Sequence, residues 1–259
     1  MPFATLRDAK VYYELIGEAH LPVLMFSNGL GTNLHMWDSQ IDAFSKHFRV
    51  LRCDTRGHGK SDVTPGPYSI EQLSCDVVDL LDSLRLDRVY FCGISMGGLI
   101  GMSLGTNFET RFHRLVLCST AAKIGTTDIW TTRIQTAKSG GMKAIANTVL
   151  DRWFTPGFRS KHPAEIQRVE AMLLATNPEG YSANCAAVRD SDQRDTVQNI
   201  HVPCLVVVGK DDPGTPPSEA QNLNKLIAGS QYTELSGSHL CNIESRDEFN
   251  QRVLQFILA

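Results

Sequence analysis

The chain predicts an α/β fold, a mostly parallel sheet flanked by helices. Three observations carry that prediction. Short apolar runs rich in Val and Leu recur along the sequence, helical patterns separate them, and two alternating stretches stand at the front. Strands buried on both faces need nearly continuous apolar runs, and parallel neighbours need a helix-length crossover between them.

Residues 3–7 and 10–16 alternate polar with apolar around the turn-prone Asp8-Ala9 and read as an edge hairpin. The buried-strand runs come next, at PVLMFS (22–27), FRVLRC (48–53), RVYFCGI (88–94), HRLVLCS (113–119) and PCLVVVG (203–209), with a weaker QYTEL (231–235). Ser69 and Gln72 form a capping box ahead of a stripe of Ile70, Leu73, Val77, Leu80, Leu81 and Leu84. Residues 96–107 make the next helix. Ser245 with Glu248 opens the last one, which carries Phe249, Val253, Phe256 and Ile257. From Ser119 to Pro203 there is no strand pattern. Helical segments near 127–138, 141–153, 163–176 and 181–189, with a loop at 154–158, read instead as a helical insertion over the sheet.

The 259 residues are 42% apolar and 20% charged, enough for a large core and unlike a disordered chain. Lys and Arg total 25 against 28 for Asp and Glu, a net charge of −3. That balance argues against a nucleic-acid or anionic-membrane partner. Residues 89–108 carry no charge and are long enough to span a bilayer, yet five glycines and a β-rich opening make them a strand, a tight turn and a buried helix. Seven cysteines occur with no CxxC pair, and Cys92, Cys118 and Cys204 lie inside apolar runs. Free thiols and an amino terminus without an apolar signal region place the chain in the cytoplasm.

The strongest chemical signal is Gly93-Ile94-Ser95-Met96-Gly97, after a buried strand and before a helix. A serine held on so sharp a turn needs small neighbours two positions away, and the helix amino terminus favours negative charge. Its hydroxyl needs a base. Of eight histidines, His239 comes after the last strand run and precedes the last helix, where catalytic groups of parallel sheets collect. An acid should orient that imidazole, and Asp211 and Asp212, after the VVVGK strand, both qualify. Backbone N–H groups of Met96 and of Leu30, in Asn28-Gly29-Leu30-Gly31-Thr32, are placed to form an oxyanion hole. The same loop lacks the GxGxxG spacing and the lysine of a phosphate cradle. Asp54-Thr55-Arg56-Gly57-His58-Gly59-Lys60-Ser61 reads as a tied-down turn whose polar groups bond loop backbone. No HxxxH or HxH cluster suggests a metal, and no cofactor is expected.

Taken together, these residues resemble the α/β-hydrolase superfamily over essentially the whole chain: G-x-S-x-G at 93–97, D-x-R-G-H-G-x-S at 54–61, G-x-x-D-x-x-T-P at 209–216, and His239. The resemblance implies an eight-stranded sheet with a helical cap between strands 6 and 7. The core would be 1–121 and 191–259, and the cap 122–190. It also implies that Asp212, not Asp211, is the acid of a Ser95–Asp212–His239 triad. More narrowly, NGLGTNLHMWDSQ (28–40), RWFTPGF (152–158) and GSHLCNIE (237–244) look like the 3-oxoadipate enol-lactonases of the β-ketoadipate pathway of aromatic-compound breakdown.

Functionally the resemblance implies a serine hydrolase, a carboxylic ester hydrolase that opens an anionic lactone through an acyl-enzyme. A carboxylate on the substrate calls for a cation in the cap, and Arg133 and Arg152 are the candidates. Trp130 and Trp153 either line that pocket or fill the cap's own core. Carboxylesterases, carbon–carbon bond hydrolases and cofactor-free perhydrolases share the triad. A small-molecule receptor on the same fold is the non-catalytic alternative.

Overall fold

The strand runs assemble into one eight-stranded sheet in the computed structural model, which describes residues 3–259. β1 (Phe3–Thr5) and β2 (Lys10–Ile16) form the antiparallel edge hairpin, and β2 also runs antiparallel to β4 (Arg49–Cys53). β3 (Val23–Ser27), β4, β5 (Val89–Ile94), β6 (Phe112–Cys118), β7 (Cys204–Gly209) and β8 (Gln231–Leu235) are mutually parallel. The spatial order is β1-β2-β4-β3-β5-β6-β7-β8. Every residue of β3 and of β7 is buried, as two-sided coverage requires.

Helices supply that coverage. α1 (Asp38–Phe44) packs against α11 (Arg246–Leu258), and α2 (Ile70–Ser83) against α3 (Met96–Asn107). α9 (Pro217–Leu226) joins β7 to β8, and the short α10 (Cys241–Glu244) precedes α11. Five helices intervene between β6 and β7: α4 (Thr127–Gly140), α5 (Ala146–Trp153), α6 (Pro156–Lys161), α7 (Pro163–Ala175) and α8 (Pro178–Asp190).

Several local readings need correction. The helix expected over 141–153 is interrupted, because Gly141 at φ +67° ends α4 and a 3₁₀ turn over Met142–Ala144 precedes α5. Residues 154–158, expected as a loop, start α6: the Thr155 hydroxyl accepts from the Phe158 N–H and Pro156 takes the first helical position. Ser69 caps α2 as expected, accepting from the Gln72 N–H at 3.1 Å. Ser245 does not cap α11; its hydroxyl donates to the Ser236 carbonyl at 2.6 Å, since α10 runs directly into this position. The sequence pattern leaves α1 and α9 unmarked.

Trp37 stacks on Phe26 at 4.5 Å beneath the sheet's carboxyl end, and its ring N–H reaches Asn28. All seven cysteines are free. Among the described residues no helix is long and apolar enough to cross a membrane. The chain leaves β3 for β4 on one side and β5 stands on the other, so a crevice opens between the loops at the carboxyl ends of β3 and β5.

Candidate active site

Ser95 occupies the turn from β5 into α3 with φ +56° and ψ −113°, a conformation a serine holds only under constraint. Its N–H donates to the Cys118 carbonyl at 2.8 Å, and its own carbonyl accepts from the Thr120 hydroxyl at 3.0 Å. The flanking glycines are a steric necessity. A Cβ on Gly97 would lie 2.4 Å from the Ser27 carbonyl oxygen, and one on Gly93 would lie 2.1 Å from the Gly97 oxygen.

Asp212 and His239 come from the loops after β7 and β8. His239 Nδ1 lies 2.7 Å from Asp212 Oδ2, which also accepts from the Thr215 hydroxyl at 2.8 Å. The other carboxylate oxygen takes the Gly214 and Thr215 N–H groups at 2.8 and 3.0 Å. Burial opposes the charge on Asp212, but the His239 imidazole and these donors outweigh it and hold the carboxyl below its ordinary range. Asp211 is exposed and offers only backbone to the loop. Thr215 is the threonine of the G-x-x-D-x-x-T-P stretch, a position to which the motif assigned no role; the structure bonds both its N–H and its hydroxyl to Asp212.

The loop after β3 is pinned on every side. Asn28 donates to the Cys53 carbonyl at 2.7 Å, and Thr32 Oγ1 donates to the Gly29 carbonyl at 2.8 Å. The Gly31 N–H donates to His58 Nε2 at 2.9 Å. Burial lowers the His58 pKa to about 4, so the ring is neutral and its Nε2 is free to accept. Asp54, in the same turn, accepts from the Leu34 and Lys60 N–H groups, both at 2.8 Å. The expected tied-down turn therefore acts on the Asn28–Thr32 loop itself. Among the described residues the Leu30 and Met96 N–H groups have no protein acceptor, and Leu30 borders the same hollow as Ser95.

That hollow is a cavity of about 150 Å³ lined by Ser95, His239, Leu30, Trp130, Trp153 and Tyr181, with Arg133 and Arg152 among its walls. Trp130 and Trp153 are buried and line it as well as filling the insertion, so the two sequence readings coincide. The Trp130 ring N–H donates to the Ile124 carbonyl at 2.6 Å, and the Arg133 guanidinium lies over that ring at 4.8 Å from its centre. Tyr181, on α8, is a wall residue that no sequence motif marked. A larger cleft of about 520 Å³ between residues 63–67 and the outer faces of α4 and α8 contains none of these groups. Among the described residues no cluster of potential metal ligands occurs.

The histidine loop is bound to the helical insertion. Ser238 Oγ donates to the Arg152 carbonyl at 2.8 Å and the Leu240 N–H donates to the Trp153 carbonyl at 3.0 Å. Glu244 accepts from the Ser238 N–H at 3.1 Å and from both the N–H and the hydroxyl of Thr155. His239 is therefore held in register with the wall that carries Arg152 and Trp153.

Comparison with known proteins agrees with this architecture. The model of the α/β hydrolase fold family matches residues 22–132. The chain is 42% identical to 3-oxoadipate enol-lactonase 2 of Acinetobacter baylyi, over 96% of this chain and 93% of that one. It is 34% identical to 3-oxoadipate enol-lactonase 1 of the same organism, over 94% and 91%. The crystal structure of the enol-lactonase from Burkholderia xenovorans superposes with a TM-score of 0.99 at 43% identity, covering both chains completely.

Proposed function

The chain belongs to the α/β-hydrolase family that includes the bacterial 3-oxoadipate enol-lactonases, and from that membership we propose that it hydrolyses 3-oxoadipate enol-lactone to 3-oxoadipate. This is the ring-opening step of the β-ketoadipate route, and a carboxylic ester hydrolysis. One observation carries the reading to the site: the cavity holding Ser95 and the Asp212-bonded His239 also holds two arginines without an acidic partner among the described residues.

Ser95 Oγ attacks the lactone carbonyl while His239 Nε2 takes its proton, and Asp212 stabilises the imidazolium through Nδ1. The oxyanion is received by the Leu30 and Met96 N–H groups, held in place before the reaction and so needing no reorganisation. Collapse of the intermediate breaks the ring C–O bond. His239 returns its proton to the departing oxygen, the resulting enol tautomerises to the ketone, and the acyl group stays on Ser95. Water deprotonated by His239 then attacks the acyl-enzyme and releases 3-oxoadipate with Ser95 restored. Arg133 and Arg152 bind the substrate's free carboxylate, and Trp130 and Trp153 flank the ring.

In this reading residues 122–190 are a cap on a core of 1–121 and 191–259, and the seven unpaired cysteines, six of them buried, suit a reducing cytoplasm. The test is turnover of freshly generated enol-lactone by the wild-type protein and Ser95→Ala, with a neutral aryl acetate alongside. Lactone hydrolysis that exceeds ester hydrolysis by orders of magnitude, and that vanishes in Ser95→Ala, is expected. Brisk ester cleavage with slow lactone turnover would overturn the substrate.

A further inference from the structure

A second hollow, of about 430 Å³, lies in the insertion between α4 and α5, just outside the catalytic cavity. Thr132 and Thr136 project from one helix and Thr148 from the other. Four residues, Ile129, Arg133, Val149 and Arg152, line both hollows. The two spaces therefore meet across a partition of two apolar and two guanidinium side chains.

That partition is electrostatically unusual. Among the described residues neither Arg133 nor Arg152 forms an ion pair. Burial and then the nearby Arg133 charge make Arg152 easier to deprotonate than an ordinary arginine. Two like charges, partly desolvated and uncompensated, cost free energy that an arriving anion recovers. The one carboxylate on the outer hollow is Asp128, in the exposed first turn of α4. The α5 side of the partition is fixed, because the hydrogen bonds at Arg152, Trp153 and Thr155 fasten the end of α5 to the histidine loop.

We propose that the α4–α5 hollow is an antechamber for carboxylate-bearing substrates. The anion enters between Thr132 and Thr148, is taken up by Arg133 and Arg152, and leads the ring inward to Ser95. The inference rests on the hydrolase reading above but not on the identity of the lactone. Thr132 and Thr148 are exposed and border the outer hollow only, so a charge placed there acts on approach rather than chemistry.

The experiment compares Thr132→Glu, Thr148→Glu and the uncharged control Thr148→Gln with wild type. The substrates are the enol-lactone and two aryl esters sharing one leaving group, a neutral acetate and an anionic hemisuccinate. At low salt each Glu variant should lower kcat/KM for the anionic substrates by roughly three- to tenfold, with kcat and the neutral ester unchanged. Added salt should shrink the difference, Thr148→Gln should match wild type, and Asp128→Asn should raise kcat/KM for the anions. Equal effects on the neutral and anionic esters, or no effect of either Glu variant, would overturn the route. A wild-type protein that ignores the lactone but shows the expected ester pattern would remove the lactone assignment and leave the antechamber standing.

Discussion

Protonation of His58 should weaken the fold in a defined pH window. The ring is buried beneath the Asn28–Thr32 loop, and burial lowers its pKa from 6.5 to about 4, against the partial support of the Arg56 and Thr55 carbonyls. Its Nε2 accepts from the Gly31 N–H at 2.9 Å, a contact that an imidazolium cannot make. Between the two pKa values the unfolded chain binds a proton that the folded chain refuses. Stability from this group is complete above the unfolded value and falls as pH drops through 6.5 toward about 4. The whole gap corresponds to roughly 3 kcal/mol, of which about 2 kcal/mol is lost by about pH 5.

Urea unfolding at intervals from about pH 4.5 to 7.5 measures this, with His58→Gln as the reference. Glutamine keeps an oxygen acceptor within reach of Gly31 and does not titrate. Other buried acids, such as Asp54, whose carboxyl burial pushes upward, are common to both proteins and cancel in the difference. The stability of wild type relative to His58→Gln should fall by about 2 kcal/mol between roughly pH 7 and pH 5. Parallel curves for the two proteins would refute the buried neutral imidazole.

Two further substitutions separate chemistry from architecture. Asp212→Asn should lower kcat by roughly 10³- to 10⁴-fold while KM and Tm change little. The amide oxygen still accepts from Gly214 and Thr215 but no longer enforces the Nδ1–H tautomer of His239. Steady-state kinetics and a thermal melt check both halves. Gly97→Ala should instead act on the fold, since its Cβ meets the backbone oxygen of Ser27 and neither side can yield. A loss of about 2–4 kcal/mol in urea unfolding is expected.

The central strands β3 to β7 were legible because they are covered on both faces, which forces the continuous apolar runs that stand out in the sequence. Ser95 was legible because the elbow imposes glycines at 93 and 97. The choice between Asp211 and Asp212 was not open to local physics: the residues are adjacent, and only the turn through Gly214 and Thr215 buries one carboxylate and leaves the other in solvent. α6 escaped notice although Thr155-Pro156 is a cap with a first-turn proline behind it, because two phenylalanines in five residues obscured the periodicity. Glu244 lies in a stretch that carried the narrow resemblance, but its role was hidden, since its partners Thr155 and Ser238 are far from one another in sequence.

Of the three stretches that resembled the enol-lactonases most narrowly, 237–244 is bonded to both of the others. Asn242, in 237–244, donates to the Met36 carbonyl at 3.3 Å, and its own carbonyl accepts from Gln40 at 2.7 Å, which ties it to 28–40. Ser238, Leu240 and Glu244 bind 152–158 through Arg152, Trp153 and Thr155. One polar frame thus joins the segment 36–40, the histidine loop and the wall that carries Arg152. A residue in such a frame answers to two partners remote in sequence, and replacing it strands a buried donor or acceptor on each. The triad motifs describe how an ester is attacked; this frame holds the wall of Arg152 and Trp153 opposite Ser95, where the proposed substrate carboxylate would sit.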